Sequence, residues 1–267
     1  MNIKRIYAIF VRQMFLIKSN PARLTSIFLW VVIDIIMWGF ITKYLGTLGA
    51  ETSGFVKVIL GAIIFWDFAS RLQQGTMMAF MEDVWSKNFI NFFASPLTMS
   101  EYVAGLVTTS LLLGLVSIIF MALLAGLLFG YNILIVGLLC LPFLIILFFF
   151  GVAMGIFISA VIFRLGPSAE WIAWPIPLVL SIFAGVFYPV AALPGVLQVI
   201  ARLIPASYVF ESMRAILAGL PLSGTLLVNL MIGFGLAVVY LFITYRLFIA
   251  IYRRNLKLGT IAKFDVE

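Results

Sequence analysis

Three charged residues, Asp34, Asp67 and Arg71, sit in stretches of sequence that are otherwise strongly apolar. A carboxylate midway across a membrane costs roughly 3 kcal/mol on insertion scales, so it must be paired, protonated or functional. Asp34 lies midway along the first apolar run, where a partner on a neighbouring helix or a place on a transport path would explain it. Asp67 and Arg71 are spaced i, i+4 with the acid first, the favourable order for a helical ion pair. They form either a self-satisfied pair or, with Gln73, Gln74 and Thr76, a polar lining at the mouth of a path. The candidate path residues are therefore Asp34, Asp67, Arg71 and Gln74. A further pair, Glu211 and Arg214, is spaced i, i+3 downstream of Tyr188-Pro189, as a local salt bridge or a gate contact.

Other chemistries lack their residues. The chain has no histidine and one cysteine, Cys140, which lies in an apolar run and reads as packing. That excludes an internal disulfide, a Cys/His metal centre and histidine-based acid–base catalysis within one chain. No G-x-x-x-x-G-K-[ST] run and no Gly-Lys pair occurs, so the chain is not expected to hydrolyse ATP or to hold a cofactor.

The elements that position these residues follow from composition. Of 267 residues, 64% are apolar or aromatic and only 10% are charged. A soluble fold could not hide so much apolar surface, but a bilayer can, and each crossing needs roughly 20 apolar residues. The pattern predicts an all-α polytopic membrane protein forming a single domain over 1–267. Its spans are expected at 24–45, 55–81, 98–129, 133–163, 169–187 and 222–249. Residues 1–20 precede them as an interfacial amphipathic helix. Lys4, Arg5, Arg12 and Lys18 fall on one arc of it, toward headgroups, and Ile3, Ile6, Ile9, Phe10, Met14 and Ile17 on the other. This stretch is broken by charge and lacks a small-x-small cleavage site, so it does not read as a cleaved signal peptide.

Thr98-Met99-Ser100-Glu101 has capping-box spacing and marks the start of the third span. Gly130-Tyr131-Asn132 and Arg164-Leu165-Gly166-Pro167-Ser168 read as turns. Residues 188–221 are apolar but carry Pro189, Pro194, Pro205 and Pro221, which suits two short outer helices near 194–203 and 206–219. Residues 250–267 form a tail. The formal charge of +7 reflects basic residues sorting to the cytoplasmic side rather than nucleic-acid binding. Placing both termini inside puts Lys4, Arg5, Arg12, Lys18, Arg23, Lys87, Arg164, Arg246, Arg253, Arg254, Lys257 and Lys263 there. Only Lys43, Lys57, Arg202 and Arg214 are then left outside.

Between spans two and three, residues 82–94 (EDVWSKNFINFFA) form an amphipathic cytoplasmic segment. Its Glu82-Asp83-Val84-Trp85-Ser86-Lys87-Asn88 run is followed by Ser95-Pro96-Leu97 and Ser100-Glu101-Tyr102. Later come Gly185-Val186-Phe187-Tyr188-Pro189-Val190, Leu193-Pro194, Leu197-Gln198, Pro205 and Phe210-Glu211-Ser212-Met213-Arg214. With the interfacial helix and six spans, these blocks resemble the type-2 ABC (ATP-binding cassette) transporter permeases over nearly the whole chain.

The resemblance implies the membrane-spanning subunit of an exporter. A second permease chain, forming a homodimer, and two separate ATP-binding subunits would complete it, with ATP and Mg bound by those partners. Residues 82–94 would be the coupling helix, using Glu82, Asp83, Val84, Trp85, Lys87, Asn88, Phe89 and Phe92. Rigid aromatics, here Trp85, Phe89, Phe92 and Phe93, suit such an interface. A bacterial or archaeal cytoplasmic (inner) membrane is the implied location. Polysaccharide exporters of this family often start with an Arg-Tyr-Lys-rich segment, where this chain has Lys18-Ser19-Asn20-Pro21-Ala22-Arg23. Drugs, lipids and other amphiphiles therefore lead as substrates. The alternative is an ion-coupled secondary transporter using Asp34 or Asp67. It would require paired internal repeats, and none is evident.

Overall fold

A computed structural model describes residues 1–47, 53–133, 139–219 and 223–258, and every structural statement below concerns these. The chain is all-α. In order, the helices are α1 (Ile3–Ser19), α2 (Pro21–Thr47), α3 (Ser53–Trp85), α4 (Phe89–Ala94), α5 (Met99–Phe129), α6 (Cys140–Leu165), α7 (Glu170–Ala173), α8 (Ile176–Phe183), α9 (Gly195–Leu203), α10 (Pro205–Leu217) and α11 (Gly224–Leu258). Four stretches are long and apolar enough to cross a membrane: Phe28–Thr47, Met99–Phe129, Cys140–Leu165 and Gly224–Leu258.

The most buried long helix is also polar. α3 packs against α5 on one side and α6 on the other, and α6 carries α11 on its far side. α2 lies across α3 and α5, and α10 packs on α11, α6 and α3. Small residues let α3 and α6 approach closely. A Cβ on Gly151 would sit 2.5 Å from the Ala69 carbonyl oxygen, and one on Gly155 would sit 2.7 Å from Thr76 Cβ. This Gly-x-x-x-Gly step is the close-contact device of membrane helices, whose packing gains little from the hydrophobic effect in lipid. Large apolar side chains on the outer faces of α5 and α11, such as Ile119, Leu123, Met231 and Phe242, stay exposed, as a lipid-facing surface requires.

Several boundaries match the expectation for a local reason. Thr98 caps α5, its hydroxyl accepting from Glu101 N at 3.4 Å while Glu101 accepts from Thr98 N at 3.0 Å. Gly130 closes the same helix in the left-handed region at φ 64°. Other boundaries differ. The segment expected as a fifth span at 169–187 is interrupted: α7 ends at Ala173, α8 begins at Ile176, and no helix continues past Phe183. Pro175 and Pro177 remove backbone donors there, and Pro cannot complete the i→i−4 ladder. α11 runs on to Leu258, past the expected end at 249. The start of the fourth span and parts of the first outer loop, the outer-helix region and the tail (134–138, 48–52, 220–222 and 259–267) lie outside the described residues.

The segment 82–94 is not one helix. Glu82–Trp85 form the last turn of α3, Ser86–Asn88 turn the chain, and α4 is only six residues long. Lys87 takes a left-handed φ of 53° in that turn. α1 forms as expected, and part of its expected apolar side, Ile9 and Ile17, is turned inward. Its Ile9, Gln13 and Ile17 are buried, and α1 packs on α5. Arg5 and Arg12 bond to the protein rather than forming part of a free headgroup-facing arc.

Candidate functional site: a polar cavity and a buried carboxylate node

The four candidate path residues converge. Asp34 from α2 and Asp67, Arg71 and Gln74 from α3 all line one cavity of about 410 Å³. Its remaining wall comes from Trp174, α8 and Phe187. α3 can carry these groups because its i, i+4 spacing places Asp67 and Arg71 one above the other on a single face. Arg71 Nε donates to Asp67 Oδ1 at 3.1 Å and Arg71 Nη2 lies 3.1 Å from the same oxygen. Ser117 Oγ from α5 donates to Asp67 Oδ2 at 3.0 Å. Asp67 is thus satisfied on both oxygens, as a buried charge must be.

Asp34 is placed differently. Its Oδ2 lies 3.9 Å from Arg71 Nη2, beyond hydrogen-bond reach, and its side chain is 38% exposed. Four indoles, Trp30, Trp38, Trp66 and Trp174, surround the same space. Trp38 stacks on Phe187 with ring centroids 4.6 Å apart. The Ser70 hydroxyl, on the cavity wall, is buried without a hydrogen-bond partner.

A second arrangement lies where α3 ends. Asp83 is 0% exposed and accepts from Arg12, from Tyr102 Oη at 2.7 Å and from Asn88 Nδ2 at 3.2 Å. Arg12 also lies over the Phe92 ring, 5.6 Å from its centroid. Arg5 reaches Glu101 Oε2 at 3.4 Å, and Asn2 N donates to Glu101 Oε1 at 2.7 Å. These contacts clamp α1 across the ends of α3 and α5. Beside them, Phe89 stacks on Phe163 at 5.5 Å, and Phe163 stacks on Phe248 and Tyr252. Asn255 Nδ2 donates to the Phe163 carbonyl at 2.6 Å.

This geometry divides the expected coupling residues. Asp83, Val84 and Phe89 are buried in the fold and offer no surface to a partner, because the node and the aromatic cluster consume them. Phe92 and Asn88 are partly buried and bonded into the same node. Trp85, 53% exposed, and Lys87 face outward, with Glu82 partly exposed between. The Phe93 side chain lies outside the described set.

Glu211 and Arg214 form their expected bridge at 3.0 Å. They also hold a turn. Arg214 donates to the carbonyls of Gly185 and Val186, and Glu211 Oε1 accepts from Val190 N at 2.8 Å. Gly185 adopts φ 64°, where a Cβ would meet the Tyr188 carbonyl at 3.0 Å. Burial pushes the Arg214 guanidinium below its usual value, and Glu211 opposes that shift. Tyr188 Oη donates to the Ile182 carbonyl at 2.7 Å, while Pro189 is exposed at the turn. Sequence spacing revealed the pair but not the turn it fastens. It also missed Ser117, Tyr102, Gly151 and Gly155, whose roles depend on partners far away in the chain.

An all-α chain with several helices long and apolar enough to cross a membrane is a multi-pass membrane protein. The model of the ABC-2 type transporter family matches residues 4–218, and the chain belongs to that family. ABC-2 membrane domains are permeases rather than catalytic domains, and the family normally works with an ATP-binding subunit. No curated protein matches the chain.

Proposed function

We propose that the chain is the permease subunit of an ATP-driven exporter, pairing with a second copy of itself and with two ATP-binding subunits that hold ATP and Mg. Six membrane crossings, with α3 and the interrupted α7–α8 segment added to the four apolar helices, give both termini a cytoplasmic position in a bacterial or archaeal inner membrane. Two exterior-facing charges of the outer region, Glu211 and Arg214, then serve to fasten a turn. The substrate is an amphiphile such as a drug or lipid, with a polysaccharide as the second candidate.

One observation carries this reading. α3 is a single 33-residue helix, about 50 Å long, with the polar cavity at its middle and the exposed Trp85 at its end. A push on the Trp85–Lys87 turn is delivered along a rigid rod to Asp67, Arg71 and Gln74. The coupling surface is then the turn itself, Glu82, Trp85 and Lys87, with Asp83, Asn88, Phe89 and Phe92 holding it in place.

The test is to purify the tagged chain from its native membrane in a mild detergent and identify what accompanies it. A stoichiometric ATP-binding subunit is expected. Recovery of the chain alone would sink the exporter reading in favour of an ion-coupled carrier. Asp34 would be the carboxylate to test first there, because Asp67 has both oxygens engaged.

A further inference from the structure

The cavity has a charge left over. Asp67 and Arg71 close on one another, with Ser117 taking the second Asp67 oxygen, so that unit is neutral. Asp34 adds a carboxylate whose nearest cation is 3.9 Å away and already committed. Among the described residues it accepts no hydrogen bond. Around it stand Trp30, Trp38, Trp66 and Trp174, whose ring faces attract cations. A carboxylate beside several indoles forms an environment complementary to a cation with a broad apolar body. The volume of about 410 Å³ is within the range of small-molecule sites.

We propose that this cavity is a binding site for lipophilic organic cations, with Asp34 as the counter-ion and the surrounding indoles as the stacking surface. The proposal rests on the permease reading and narrows its substrate class. A lipophilic cation neutralises Asp34 while its apolar body lies against the indoles. An anionic amphiphile meets the same carboxylate with the wrong sign.

Tetraphenylphosphonium and tetraphenylborate test this directly, because they share a shape and differ in sign. Binding of each to the full-length chain in detergent is measured by equilibrium dialysis against protein-free micelles. The wild-type chain is expected to bind the cation and to hold the anion no better than the micelles do. Asp34→Asn should weaken cation binding about tenfold or more, and Asp34→Glu should retain most of it. Equal binding of both ions, or no cation binding, overturns the proposal. So does unchanged cation binding in a monodisperse Asp34→Asn chain. Should that variant fail to fold, the wild-type comparison of the two ions decides alone. Loss of the proposal would leave the exporter reading intact wherever the ATP-binding subunit still co-purifies. Cation binding by a chain that recovers no such subunit would separate the two in the opposite direction.

Discussion

Two carboxylates, Asp83 and Asp34, each lie near an arginine, and the fold treats them in opposite ways. Asp83 is fully buried and receives Arg12, Tyr102 and Asn88 from three different places in the chain. Asp34 is part-exposed, accepts no hydrogen bond among the described residues, and only overlooks Arg71. A buried charge is tolerated when its lone pairs are filled. Asp83 meets that condition and works as a joint between helices. Asp34 does not, and an unfilled carboxylate facing a cavity is available to something that enters. The contrast separates a residue that builds the protein from one open to a ligand, although in sequence Asp34 reads as an acid in an apolar run and Asp83 as part of a charged cytoplasmic segment.

The largest expected effect tests the building side. Phe89→Ala should cost about 3–5 kcal/mol, because it empties a site 2% exposed among Phe80, Phe163 and Tyr102. The readout is a lowered thermal midpoint in detergent. Asp83→Ala comes next, at about 3 kcal/mol, since Tyr102 and Arg12 lose a common acceptor. Asp67→Asn should cost about 1–3 kcal/mol by leaving Arg71 without its counter-charge. Asp34→Asn should change stability by no more than about 0.5 kcal/mol. A drop as large as that of Asp83→Ala would erase the distinction between the two carboxylates.

Much of the architecture is local and was readable before the structure. The capping box at Thr98 and Glu101, the left-handed stop at Gly130 and the Asp67–Arg71 pair each need only neighbours within one helical turn. Asp34, Gln74 and that pair stand out in sequence as polar groups that need shelter in lipid-length helices, and their meeting at one cavity is visible only in the structure. What escaped was non-local. An apolar helix such as α6 shows no amphipathic period, so nothing marks which face Gly151 and Gly155 present to α3. The basic arc of α1 looked like a headgroup surface because Arg12's partner, Asp83, lies 71 positions away. Residues 82–94 looked like one amphipathic helix because their apolar residues are spaced helically, yet Phe89 joins the interior while Trp85 remains outside. Pro175 and Pro177 each remove a backbone donor from the fifth apolar run, while Trp174 and Pro175 keep right-handed helical backbone.

The same division governs the turn at the end of α3. Trp85→Ala removes an exposed side chain and should change stability by no more than about 0.5 kcal/mol. The decisive measurement is ATP hydrolysis and substrate transport recorded side by side on this variant, reconstituted in vesicles with its ATP-binding subunit. A stable complex that hydrolyses ATP while transport collapses is the expected result. Transport at the wild-type rate per ATP would contradict the claim that α3 carries motion from this turn to the cavity.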